Sequence, residues 1–138
     1  MKPHTSFGLV ALVLVVLFVL WAVGLFYRLY FVFWWYDVLL HFIGGFWVLI
    51  LARSAKANFN WELSGRHSAT ALVLGLLGIV VLVGAIWEMG EFVSDRYILM
   101  SGYTKLPKVY EDTLADLLMD LLGGLFGIIY YKCIRIKL

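Results

Sequence analysis

This sequence has little charge, one cysteine and no run of basic residues outside its termini and loops. Each shortage excludes something. Charged residues make up 14% of the 138 positions, against about 25% in soluble domains, so a soluble globular fold is excluded. Cys133 stands alone and allows no internal disulfide. Without a basic stripe the chain has no electrostatic footprint for nucleic acid. The net charge of +2 is small and carries little information; how the charges are distributed carries more. There are no repeats and no low-complexity tracts.

What is present is apolar. Hydrophobic residues reach 64%, where soluble domains run at about 45–50%, and the mean hydropathy is +0.95. The length suits four spans of about 20 residues with short loops. It leaves no room for a separate soluble domain, so residues 1–138 are expected to form one integral membrane domain. The spans are read at about 7–30, 35–52, 69–93 and 113–131. The first follows the basic Lys2 and has no charge before Arg28. It is longer than the roughly 7–15 residues of a signal-peptide core and lacks a small-x-small cleavage site, which reads as a retained helix. A polar, basic stretch, 53–68, separates the second and third spans. The stretch 94–112 separates the third and fourth and holds the turn signals Gly102 and Pro107. The fold class expected is all-α, a four-helix transmembrane bundle.

An even number of spans puts the N-terminus, the second loop and the C-terminus on one side. That side carries Lys2, Arg53, Lys56, Arg66, Lys132, Arg135 and Lys137; the other carries Arg28, Arg96, Lys105 and Lys108. The richer side is expected to be cytoplasmic, with both termini inside. Of the nine acidic residues, Glu62 alone falls inside and eight fall outside. Asp95 and Glu111 read as solvated loop charges. The other six lie in or at the ends of apolar helices, where a carboxylate costs several kcal/mol unless paired, metal-bound or hydrated.

Helical geometry brings those six together. Asp37 and His41 open the second span four residues apart, on one face. Glu88 and Glu91 lie near the outer end of the third. Asp112, Asp116 and Asp120 open the fourth at i, i+4 and i+8, one stripe about 12 Å deep. Three helices therefore bring carboxylates to a similar depth. Carboxylates and an imidazole projecting inward at these spacings resemble the ligand logic of di-metal helical bundles. Hard oxygen donors with one nitrogen suit Zn²⁺, Mn²⁺, Fe²⁺ or Mg²⁺. Such an ion would offset repulsion, activate water or hold a phosphate. Two other readings stay open. The acids can line a proton or cation path, or Arg28 and Arg96, on the same side, can pair with some of them.

Three segments carry a family resemblance: Asp37-Val-Leu-Leu-His41-Phe-Ile-Gly-Gly45, Trp87-Glu88-Met-Gly-Glu91-Phe92, and the Asp112 to Gly124 stretch with Asp116 and Asp120. Their order resembles the YjdF-like bacterial membrane proteins and, more distantly, VanZ-like proteins. The likeness covers about residues 30–128. It implies a small multispan protein of the bacterial inner (cytoplasmic) membrane. The association of VanZ-like members with glycopeptide resistance implies cell-envelope or lipid chemistry, with a membrane lipid or lipid-linked substrate as partner. Where VanZ-like proteins tend to carry amides, this chain has Glu91 and Asp120, which makes the site more anionic.

The residue assignments follow. His41, Glu88, Asp116 and Asp120 are the expected metal ligands, with Glu91 or Asp112 as base. Asp120 and Glu88 are the deepest acids. Asp37 at i−4 either joins the site or only fixes the His41 tautomer. Asp112 or Thr113 can instead cap the fourth helix, with Thr113-x-x-Asp116 approximating a capping box. Gly44-Gly45, Gly75 with Gly78, and Gly123-Gly124 with Gly127 put small residues on helix faces for close approach; the same motif can serve a homodimer. Trp34, Trp35, Tyr36, Tyr97, Tyr103 and Tyr110 read as an outer aromatic belt, and Phe59, Trp61, Tyr130 and Tyr131 as an inner one. The stretch 98–110 is either a lid over the site or an ordinary loop.

Overall fold

The structure, a computed structural model, describes residues 7–58, 69–100 and 108–136. Helix α1 spans Phe7–Phe26, the single turn α2 Leu29–Val32, α3 Trp35–Asn58, α4 Ala69–Val93 and α5 Val109–Ile136. No strand occurs among the described residues. Four of the helices are long and apolar enough to cross a membrane, over Phe7–Phe26, Trp35–Ala55, Thr70–Leu99 and Val109–Lys132. The architecture is an all-α membrane bundle. Uninterrupted apolar runs produce it, because a chain in hydrocarbon must satisfy its backbone within each segment.

Helix ends depart from the sequence reading in physically explicable ways. The first span stops at Phe26 rather than running to Tyr30. Arg28 adopts a left-handed backbone (φ 54°), which ends the helical ladder before α2 begins. The third helix does not stop at Val93. It continues as a π-helical turn, Ser94–Leu99, and ends at Met100 with φ 49°. That turn buries Asp95, so Asp95 is not the solvated loop charge expected, while Glu111 is exposed. The fourth span starts at Val109, four residues before Thr113, and Asp112 N–H donates to the Lys108 carbonyl at 3.0 Å. Thr113 and Asp116 therefore lie inside helix α5, and a capping box there is ruled out.

Helix α3 is the hub. It packs on α1, α4 and, most extensively, α5. The α3–α5 contact is backbone on backbone: a Cβ at Gly45 would fall on the Asp120 carbonyl, and one at Gly123 on the Phe42 carbonyl. Only glycine permits this approach, the usual device where lipid supplies no hydrophobic drive between helices. Gly127 lies against Leu49 in the same seam. Gly75 and Gly78 do not pack: nothing lies within 4 Å of a Cβ at either. They occupy turns of α4 that face away from the bundle.

The centre is small and dry. Leu49, Ile50 and Val80 are almost fully buried. Two indirect ties hold α1 to α3: Tyr36 Oη–H donates to the Leu20 carbonyl at 2.6 Å, and Trp47 Nε1–H to the Val10 carbonyl at 2.9 Å. Tyr36 is thus interior, unlike the belt residues Trp34, Trp35, Tyr97 and Tyr110, which are exposed. At the other end Tyr131 is buried under the Arg53 guanidinium, 4.2 Å from its ring centre. Phe59, Trp61, Glu62, Gly102, Tyr103 and Pro107 lie outside the described residues, as does most of the proposed lid.

Candidate metal centre

The seam between α3 and α5 fixes where the acids meet. Because Gly45 and Gly123 let the two backbones touch, the inward face of α5 lies against the first turns of α3. Asp116 and Asp120, on that face, become buried, as does His41. Helix α4 closes the third side with Glu88. A Cβ at Gly84, one turn before Glu88, would strike the Asp120 carboxylate. Glycine there makes room for the acid.

His41 stands at the centre. Its Nδ1 lies 3.0 Å from Asp120 Oδ2. An ionised carboxylate only accepts, and against it Nδ1–H is the donor. That hydrogen bond fixes the tautomer and turns Nε2 toward the other acids. Nε2 is 3.4 Å from Glu88 Oε1 and 3.9 Å from Asp37 Oδ1. Glu88 is oriented in its turn: Thr113 Oγ1–H donates to Oε2 at 2.8 Å, which leaves Oε1 facing the imidazole.

Three buried atoms at this point lack any hydrogen-bond partner: His41 Nε2, Glu88 Oε1 and Asp116 Oδ1. His41, Glu88 and Asp116 also offer ligand atoms that all lie within 4.8 Å of one another. An unsatisfied buried polar atom costs about 1–3 kcal/mol, and three in one place call for a common partner. With Nε2 unprotonated all three are acceptors, a set that could hold a metal ion. The 3.4 Å between Nε2 and Glu88 Oε1 is about the ligand-to-ligand spacing around a tetrahedral ion with bonds near 2.1 Å.

Two further groupings adjoin this one. Asp37, Asp112 and Asp116 can share an ion, as can Asp37, His41 and Glu91. Glu91 accepts from Trp87 Nε1–H at 3.0 Å, four residues back on the same helix. The six acids and the imidazole singled out from the sequence are therefore brought to one end of the bundle, in roles that differ. His41, Glu88 and Asp116 each offer a ligand atom within 4.8 Å of the others. Asp120, expected among the ligands, lies on the Nδ1 side and orients the ring, the tautomer-fixing place considered for Asp37. Arg28 and Arg96 are not brought in: among the described residues neither is paired with the cluster. Thr113, Gly84 and Tyr30 belong to the site and were not assigned to it from sequence. For Gly84 a signal existed, since it precedes Glu88 by four residues and so shares its face. Burial, with Asp37 and Glu91 nearby, pushes the Tyr30 phenol up, which keeps it protonated.

A cavity of about 420 Å³ adjoins the cluster between α1, α3 and α4, within the 300–1,000 Å³ usual for ligand sites. Its walls are mostly aliphatic and aromatic. Tyr30, Asp37, His41, Glu91 and Asp120 stand at its polar end.

The chain belongs to the family described as "Predicted membrane protein (DUF2238)", whose model matches residues 3–137. A protein of Thermotoga maritima (strain ATCC 43589 / DSM 3109 / JCM 10099 / NBRC 100826 / MSB8), described as "Uncharacterized protein", is 37% identical over 95 residues. Those residues are 67% of this chain and 44% of that relative, so the chain spans less than half of the relative's length. No solved structure matches. Neither match bears on the likeness to VanZ-like proteins.

Proposed function

We propose that this membrane protein binds a divalent metal through His41 Nε2, Glu88 and Asp116 and uses it on a phosphorylated or lipid-linked substrate of the cell envelope. The observation that carries this reading is the meeting of three buried, partnerless acceptor atoms on three residues from three helices. A hard cation satisfies all three at once and relieves the repulsion among six carboxylates. Zn²⁺, Mn²⁺, Fe²⁺ and Mg²⁺ suit the donor set. The ion would polarise a phosphoryl or acyl oxygen, with Glu91 or Asp112 positioned to take a proton from an attacking hydroxyl or water. The bias of lysine and arginine supports a site toward the extracytoplasmic side, with both termini cytoplasmic.

The competing reading is a proton- or cation-linked transporter using the same acids. It needs a polar route onward. Beyond the cluster, the bundle is closed by the Gly45–Asp120 backbone contact and by Val48, Leu49 and Val80, which supports a terminal site over a path. Elemental analysis of purified protein, loaded under metal-replete conditions, tests the proposal. One ion per chain is expected in the wild type and none in Glu88→Gln or His41→Ala. A metal-free wild type, together with pH-dependent flux in liposomes that Glu88→Gln abolishes, would overturn it in favour of transport.

A further inference from the structure

Most of the wall of the cavity beside the cluster offers no atom to an ion. Its walls come from Leu17 and Phe18 on α1, Val48 on α3, and Val83 on α4. It exists because α1 rests on α3 and packs hardly at all on α4, so a cleft runs between two helices that both face lipid. Phe18 and Val83 on its two sides are exposed in the bundle. Of the three indole N–H groups in the walls, those of Trp21, Trp47 and Trp87, two are already committed. The Trp47 indole N–H is held by the Val10 carbonyl and that of Trp87 by Glu91. What remains is mostly hydrocarbon along the length, with carboxylates and His41 at one end.

This asymmetry matches one kind of occupant. We propose that the cleft seats one hydrocarbon chain of a phosphate-headed membrane lipid, which enters sideways from the bilayer with its phosphate directed to the polar end, where His41 belongs both to the cavity wall and to the His41–Glu88–Asp116 grouping; the head-group half rests on the metal reading above. A water-soluble phosphate has little use for walls so poor in donors. A lipid chain needs none, and it is the most concentrated apolar molecule beside an opening that faces the bilayer. The division of labour follows from the medium. Lipid tails are as apolar as the wall, so seating a chain gives no hydrophobic gain over the bilayer. The cleft therefore sets where the lipid lies, and the ion bound to its phosphate sets how tightly. Without the ion the head group would instead meet Asp37, Glu91 and Asp120, three carboxylates of its own sign. Metal thus governs retention of the lipid, while the shape of the cleft governs its position.

The probe is phosphatidic acid carrying a photoreactive diazirine on one acyl chain, present as a minor component of phosphatidylcholine nanodiscs holding the metal-loaded full chain. Crosslinks are mapped by mass spectrometry. The expected result is severalfold enrichment on the wall residues Leu17, Val48 and Val83 over the outward-facing Ile86, Phe126 and Ile129. Leu17→Trp, which fills the cleft, is expected to remove that enrichment and leave metal content unchanged. Leu17→Ala, which enlarges it, is expected to retain it. Chelation is expected to lower wall labelling by phosphatidic acid to the level given by the equivalent diacylglycerol probe. Labelling spread evenly over all lipid-facing positions, or wall labelling that Leu17→Trp leaves intact, would overturn the proposal. Separate metal analysis distinguishes the failures. A metal-loaded protein with an unlabelled cleft sinks the lipid assignment alone, and points to a free phosphate if inorganic phosphate still binds. A labelled cleft in a protein that holds no metal keeps the chain seat but overturns the ion as the head-group anchor.

Discussion

Replacing Asp120 with asparagine separates an orienting carboxylate from a metal ligand. The carboxylate accepts from His41 Nδ1–H at 3.0 Å and lies away from Nε2, where Glu88 Oε1 sits at 3.4 Å. Asparagine has the same shape, so packing under Gly84 and against Gly45 is kept. Two things change. A charge-assisted hydrogen bond of about 1.5–3 kcal/mol becomes a neutral one of about 0.5–1.5 kcal/mol. The amide can also donate to Nδ1, which moves the imidazole proton to Nε2, the wrong tautomer for a ligand. Losing such an orienting partner typically weakens metal binding about 10–100-fold, roughly 1.4–2.8 kcal/mol. The metal-free protein should respond the other way, since one of six like charges is gone and its melting point should rise. The assay is zinc titration against a competing chelator, paired with thermal unfolding in detergent with and without zinc. Asp120→Asn should keep one ion per chain at reduced affinity, and the zinc-induced rise in melting temperature should shrink. Glu88→Gln should lose the ion. If Asp120→Asn abolishes stoichiometric binding as fully as Glu88→Gln, Asp120 is itself a ligand and the orienting argument is wrong. If it changes nothing, His41 does not bind the metal.

Other consequences are simpler to measure. Thr113→Val removes the donor to Glu88 Oε2 at 2.8 Å, a loss of about 1–1.5 kcal/mol; zinc affinity should fall by about tenfold or less with stoichiometry intact, as read by the same titration. The glycines should divide by environment in thermal melts. Gly123→Ala drives a methyl into the Phe42 carbonyl and should cost about 1–3 kcal/mol or more, whereas Gly75→Ala meets open space and should stabilise by about 0.5–1 kcal/mol. Metal occupancy should fall as pH drops from about 8 to about 5, because the imidazole and carboxylates must be unprotonated to bind. Equilibrium dialysis across that range checks the sign; occupancy that rises on acidification would contradict a His–carboxylate site.

The order of helices and the meeting of the acids were legible in the sequence, since both follow from period and length. Four long apolar runs give four helices, and residues at i, i+3 and i+4 share a face wherever the helix goes. What was not legible depends on how the helices are turned about their axes. Whether an acid of α5 meets Nδ1 or Nε2 of His41 is set by the rotation of α5 against α3. Gly45 and Gly123 fix that rotation by backbone contact, and a run of glycines does not announce which atom it will touch. Gly84 was only half legible for the same reason: its spacing puts it on the Glu88 face, but its meaning lies in a carboxylate on another helix. The ends failed differently: Arg28 in a left-handed conformation and the π turn that buries Asp95 are local backbone choices with no periodic signal.

The same contacts bear on why the site is so anionic. Asp120 is held twice, its backbone by the glycine seam with α3 and its carboxylate beside Gly84 on α4. It cannot swing out to water without parting α3 from α5, the most extensive interface in the bundle. Its charge is therefore fixed against His41 by packing, not by choice of rotamer. An imidazole held in one tautomer, with its free lone pair aimed at two buried carboxylate oxygens, is an arrangement that hydrogen bonds alone leave unsatisfied. The helix packing that stabilises the bundle is thus what brings the unsatisfied atoms together, in a grouping that could hold a metal ion.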